Sequence, residues 1–162
     1  MATSKRMTYE IRRTFDAPLD FAYRWCTDYQ ADDAQRAHER YVRKVLSRRR
    51  DRVVYEDLEE ASTGWTWRRT TVQLRPPDHW HAESNGNMRH FSIDYWLRAL
   101  PDGRTEFRFR GTRTSTPHGG PNPSKREMER SLQLLWRNLG ASLARDYRAY
   151  SGPRRPLRTR RG

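Results

Sequence analysis

From residue 7 to residue 15 the chain alternates, with Met7, Tyr9, Ile11 and Phe15 on one face and Thr8, Glu10, Arg12 and Thr14 on the other. Period two over this length predicts a half-buried strand, and Arg13 is the one charge on its apolar face. The alternation stops at Asp16-Ala17-Pro18. Proline suits the first position of a helix and an acid suits its first turn, so Pro18 and Asp20 predict a helix start. Leu19, Ala22, Trp25 and Cys26 then recur at three and four, which gives that helix one apolar face. Residues 27 to 39 are polar and predict a second, less buried helix or a turn.

Between Tyr41 and Thr116 the period is again mostly two, broken by legible turns, so successive antiparallel strands are expected. Val42, Lys44 and Leu46 lead into a charged turn at RRRDR, and Val53, Tyr55 and Leu58 follow. The stretch GWTWRRTTVQL then runs to Pro76-Pro77. In it Trp65 and Trp67 are odd-numbered while Val72 and Leu74 are even, so a β-bulge near Arg69 is expected where the apolar face changes parity. Asn85-Gly86 is a hairpin signal, since both residues tolerate positive φ. Pro101-Asp102-Gly103 marks the next turn, into a strand where Thr105, Phe107 and Phe109 alternate with Glu106, Arg108 and Arg110.

After the irregular TPHGGPNP, Ser124 and Glu127 have the spacing of a capping box. Met128, Leu132, Leu135, Trp136, Leu139, Leu143 and Tyr147 repeat at three and four, predicting a helix of about 26 residues that ends at Gly152-Pro153. No repeat of about 20 to 50 residues is visible, which removes solenoids and propellers. The expectation is an α+β domain over residues 1–152, in which about seven antiparallel strands wrap a long C-terminal helix.

Composition first works against this reading. Ile, Val, Leu and Phe together make only 24 of 162 residues, and the net charge is +13, a combination usual in disordered chains. Six Trp, eight Tyr and five Phe reverse it, because aromatic rings bury enough area to replace aliphatic volume. The positive charge is carried by 30 Arg against 3 Lys. Guanidinium pairs bidentately with carboxylate or phosphate, so a phosphate-rich partner is one reading; compositional bias serving solubility is the other. Residues 153–162, PRRPLRTRRG, hold five arginines and no acid, and are expected to form a disordered tail able to touch nucleic acid or an anionic membrane. A single cysteine, Cys26, excludes an internal disulfide and points to the cytoplasm. No apolar run approaches the ~18 residues of a membrane helix, and the N-terminus lacks a signal-peptide core.

The segment YEIRRTFDAPLDFAYRWCTD, the hairpin LPDGRTEFRFR and the helix SLQLLWRNLGASLARDY, in this order, resemble the helix-grip fold of the SRPBCC superfamily. That superfamily holds START lipid-transfer domains, the birch-pollen-allergen group and bacterial polyketide cyclases. The resemblance covers residues 8 to 150. It implies a cavity between sheet and C-terminal helix, closed at one end by the first two helices, for a lipid, sterol, polyketide or plant hormone. The chain departs from the allergen group, whose Gly-rich loop between the second and third strands is replaced by SRRRDR.

The expected cavity lining is Trp65, Trp67, Phe91, Ile93, Tyr95, Phe107 and Phe109 from the sheet, with Leu132, Leu135, Trp136, Leu139 and Leu143 from the helix. Arg13 and Arg69, set among apolar positions, are the candidates for polar ligand contacts. Phe21 and Tyr23, off the apolar stripe of the first helix, are expected at the entrance. His79, His81 and Glu83 share a strand face, as do His90 and Asp94, but in both cases the alternation turns that face to solvent. No metal site and no cofactor is therefore expected, and no hydrolase or kinase motif is present. The function so implied is binding or transport of a hydrophobic small molecule. The alternatives are a cyclase or dehydratase of the polyketide aromatase type, and a nucleic-acid-associated protein using Arg43, Arg108, Arg110 and the tail.

Overall fold

The computed structural model describes residues 6–62 and 64–151. Along them run β1 (Arg6–Phe15), α1 (Leu19–Thr27), α2 (Asp33–Ala37), β2 (Tyr41–Arg48), β3 (Arg52–Ala61), β4 (Gly64–Arg75), β5 (His79–Gly86), β6 (Arg89–Ala99), β7 (Thr105–Ser115) and α3 (Lys125–Ser151). The strands make one antiparallel sheet in the order β1-β7-β6-β5-β4-β3-β2, which curves around α3 as a helix grip. The 153–162 stretch, expected as a disordered tail, lies outside the described residues.

The alternation along each strand sets which face the sheet turns to α3. On β1 the inner positions are Tyr9, Ile11 and Phe15, all buried, and on β7 they include Thr105, Phe107 and Phe109. Trp136 of α3 closes over them, its ring centroid 4.3 Å from that of Phe107 and 6.2 Å from that of Phe15. Phe15 and Phe107 stack at 4.9 Å. Rings thus supply the volume that a chain poor in aliphatics lacks. The capping box starts α3: the Glu127 amide donates to Ser124 Oγ at 3.2 Å, and the Ser124 amide to Glu127 Oε2 at 2.8 Å. One turn later the helix reaches β1, where the Glu10 amide donates to Glu129 Oε1 at 3.1 Å.

Three local expectations are corrected. Pro18 is the residue before the first turn rather than in it, its carbonyl accepting from the Ala22 amide at 2.9 Å. The register of β4 with both neighbours runs unbroken past Arg69. No bulge lies there, because Trp65 and Trp67 sit on the outer face while Arg68, Thr70 and Val72 face in. The irregularity is instead on β2, between Val45 and Ser47. Finally, the β5–β6 turn falls at Asn87-Met88, two residues beyond Asn85-Gly86. Gly86 is needed for space rather than for φ, since a Cβ there would stand 2.4 Å from the Trp67 carbonyl oxygen.

Candidate ligand cavity

Small side chains open the middle of the sheet. Ala82 and Ser84 on β5 and Thr70 on β4 occupy inner positions where neighbouring strands carry rings, and Thr70 Oγ satisfies Ser84 Oγ at 2.9 Å. Between them and α3 lies a cavity of about 320 Å³. Its size falls within the usual range for small-molecule sites.

The apolar half of its wall is Phe91, Ile93, Tyr95 and Phe109 from the sheet, facing Leu132, Leu135, Trp136 and Leu139 from α3. The remaining expected lining residues lie elsewhere. Phe107 and Leu143, both 0% exposed, belong to the packed core behind Trp136. Trp65 and Trp67 are 58% and 39% exposed, for the parity reason given above.

α1 contributes to the end wall through Trp25 and Cys26, which pack against the core and also line the cavity. Tyr23 is buried edge-on against Trp80, its ring centroid 5.7 Å away. Phe21 packs on Tyr147 of α3 at 5.0 Å. Neither stands at an entrance. The reason is that α1 crosses the end of the sheet and docks on α3 through Trp25 Nε1, which donates to Asp146 Oδ2 at 2.9 Å. Burial pushes the Cys26 thiol up, so it stays protonated and is no nucleophile.

The other half of the cavity is polar. Arg43 of β2 clamps Asp57 of β3 with two hydrogen bonds of 2.8 and 2.9 Å, and also reaches Asp33 at 2.5 Å. Arg68 of β4 joins the same carboxylate at 3.1 Å. The Arg43 guanidinium lies 4.0 Å over the Tyr55 ring, so it is held on one face by π-electrons and on its edges by carboxylates. Arg43, named above as a candidate for a nucleic-acid surface, is therefore interior, and Arg108 is engaged by Glu10 at 3.0 Å. Arg69 is also corrected: it points outward, 55% exposed, paired with Glu56. Arg13 does face α3, but its Nη1 donates to Gln133 Oε1 at 3.0 Å, away from the cavity wall.

Two hydrogen-bond donors of the wall are buried without a partner, Tyr9 Oη and Trp136 Nε1. Burial raises the Tyr9 hydroxyl against the pull of Arg113 and Arg68, which keeps it a neutral donor. Tyr9 can lie across the sheet only because Gly111 has no side chain, a Cβ there standing 2.6 Å from the ring. Asp28 also borders the cavity, with Oδ2 held by Arg36 at 3.3 Å and Oδ1 buried and unpartnered. Burial, with Asp33 beside it, pushes its carboxyl up to about 6 against the pull of Arg36. A carboxyl raised on folding stabilises the fold only while protonated, and that contribution is lost as pH rises through about 6. Asp28→Asn is accordingly expected to stabilise the protein at pH 8 but not at pH 4. The gain is bounded at about 3 kcal/mol by the linkage constant and reduced by residual solvent contact. Denaturation midpoints at the two pH values measure it, and an equal gain at both would refute the assignment.

His79, His81, Glu83 and Asp94 lie on the outer face. Asp94 Oδ1 meets His79 Nε2 at 3.0 Å and His81 Nδ1 at 2.9 Å, while His81 Nε2 meets Glu83 Oε1 at 2.6 Å. Burial opposes the charge on His81, but these carboxylate partners outweigh it and raise its pKa. His90 is exposed, apart from this chain. Among the described residues no group of three or more His, Cys, Asp or Glu is arranged to hold a metal ion.

No family profile and no curated protein matches the chain. Solved structures do. The Zhui aromatase/cyclase from Streptomyces sp. R1128 is 15% identical, with a TM-score of 0.68 over 91% of this chain and 98% of that one. A START superfamily protein from Mycobacterium smegmatis is 11% identical, with a TM-score of 0.65 over 89% and 99%. Ara h 8.0201 is 11% identical, with a TM-score of 0.65 over 86% and 98%. At these identities the likeness is one of fold, and the chain shares the helix-grip fold of these structures. No described helix is long and apolar enough to cross a membrane.

Proposed function

We propose that the protein binds an amphipathic small molecule, lipid-like or polyketide-like, in the cavity between sheet and α3. One observation carries this reading. The wall residues Tyr9 and Trp136 bury two hydrogen-bond donors, Oη and Nε1, that no other described residue satisfies. Such groups are rare in a packed interior, where each costs about 1–3 kcal/mol, and a ligand carrying acceptors would satisfy both. The fold neighbours agree with a cavity of this use, since they include an aromatase/cyclase and a START superfamily protein. Native mass spectrometry of the purified protein is expected to find a small molecule that leaves on denaturation. Leu132→Trp, which fills the space, is expected to abolish it while leaving the fold intact. An unliganded protein that also takes up no apolar fluorophore would end this reading.

A second reading, a cyclase or dehydratase, is favoured by Asp28. A cavity carboxyl that titrates near neutrality suits proton transfer, and its free Oδ1 is a site from which to do it. In this reading Arg68 takes the place that Arg69 had in the sequence argument. Turnover of a poly-β-ketone thioester mimic that Asp28→Asn lowers about 100-fold or more, with binding unchanged, would favour the enzyme over the carrier.

A further inference from the structure

Beyond the Arg43–Asp57–Arg68 network lies a second group of guanidinium groups that makes no ion pair among the described residues. Arg113 on β7 is 6% exposed, its Nε is buried without a partner, and its Nη1 has only the Met128 thioether, at 3.9 Å. Arg89 on β6 likewise buries an unpartnered Nε. In the β6–β7 register Phe91 faces Arg113 and Arg89 faces Ser115, so the two arginines are diagonal neighbours on the inner face. Diagonal positions lie roughly 7–8 Å apart, close enough for both side chains to reach one group. Burial lowers the pKa of both; Arg89 adds to the lowering at Arg113, and Arg68 adds to it at Arg89 against the opposing pull of Glu59.

Arg68 completes the row. It lies opposite Gly86, and a Cβ on Gly86 would stand 3.0 Å from Arg68 Cβ and 3.2 Å from the Arg89 carbonyl oxygen. With glycine there, no side chain separates Arg68 from Arg89. Both line a recess of about 160 Å³, and Arg68 also lines the main cavity, so the recess adjoins it. Glu59 borders the recess and pulls against the lowering of the Arg89 pKa, though among the described residues it makes no ion pair with Arg68 or Arg89. A buried unpaired guanidinium is expensive, by several kcal/mol each, unless an anion reaches it.

We propose that Arg89 and Arg113, flanked by Arg68, form a subsite for an oxyanion, phosphate or carboxylate, at one end of the cavity's ligand. This rests on the cavity being a ligand site and specifies the polar end of what it takes. Arginine forks bind either oxyanion bidentately, and both Nε atoms left bare are part of such a fork.

The test is titration calorimetry with decyl phosphate, decanoate and decanol, against the natural protein and the double variant Arg89→Gln, Arg113→Gln. One or both anions are expected to bind at least about tenfold tighter than decanol, and the variant is expected to lose that preference while binding decanol within about threefold. A preference for decyl phosphate alone identifies a phosphate, and for decanoate alone a carboxylate. Equal affinity for all three in the natural protein overturns the subsite and leaves the cavity standing. If none of the three binds, inorganic phosphate decides separately. A phosphate-dependent rise in Tm that the variant lacks supports the subsite, and no rise overturns it. Should the double variant not fold, Arg89→Gln alone takes its place, since Arg89 is only half-buried.

Discussion

Replacing Asp57 by alanine is expected to remove about 3–5 kcal/mol of folding stability, read as a lower midpoint in urea denaturation. Asp57 is 2% exposed and answers two guanidinium groups at once, Arg43 through both oxygens and Arg68 through one. Without it both cations stay in a low-dielectric interior with only Asp33 near Arg43. The cost comes from the charges left behind rather than from the bonds lost, and this separates the prediction from simple pair counting. Exchanging all three residues together, Arg43→Met with Asp57→Leu and Arg68→Met, is expected to restore most of the stability, because an apolar set of similar size needs no compensation. Glu106→Ala is the control: its partner Arg98 is 69% exposed, and solvent screens such a surface pair so that its loss changes stability little. A loss for Asp57→Ala no larger than the control's would mean that Arg43 and Arg68 find water through the cavity.

Trp136→Ala is the second large effect, about 3–5 kcal/mol. The indole is a wall of the cavity on one side and the keystone of the packed core on the other, with ring centroids of Phe107 at 4.3 Å, Tyr95 at 6.0 Å and Phe109 at 6.3 Å. Its removal joins the cavity to a void the size of an indole. Added indole is then expected to raise the variant's Tm and not that of the natural protein, since apolar voids take up ligands of matching shape. Leu134→Ala, two residues earlier on α3 but 51% exposed, is expected to change stability by less than about 0.5 kcal/mol. A similar loss at both positions would show that α3 is held by something other than its buried face.

How much of this was legible in the chain depended on whether the deciding signal was local. Period two on β1 and β7, the Ser124–Glu127 box and the three-and-four spacing of α3 are local, and the strands, the helix and the grip followed from them. The face of Trp65 and Trp67 was not. Aromatic residues were taken as inward, yet β4 is continuous with β3 and β5, and parity forces both outward once Val72 is buried. The same assumption hid the polar half of the cavity. Arg43, Asp57 and Arg68 lie on three strands and become one network only through register, which no spacing in the sequence encodes. The signal that existed was the run Trp80, Ala82, Ser84: shrinking inner side chains along β5 mark where the sheet leaves room. For α1, the apolar stripe found the inner face, and at Trp25 and Cys26 that face meets the cavity as well as the core.

An open sheet has two margins, and here each is closed to a further strand. On β1 the margin amide of Glu10 is already taken by the Glu129 carboxylate of α3. On β2 the register shifts between Val45 and Ser47 at the other margin, beside the exposed Lys44 and Arg48. An irregular, cationic margin is a poor template for another chain, and a margin already bonded to its own helix offers fewer free amides. Both margins of the seven-stranded sheet thus carry a feature that discourages pairing with a further strand.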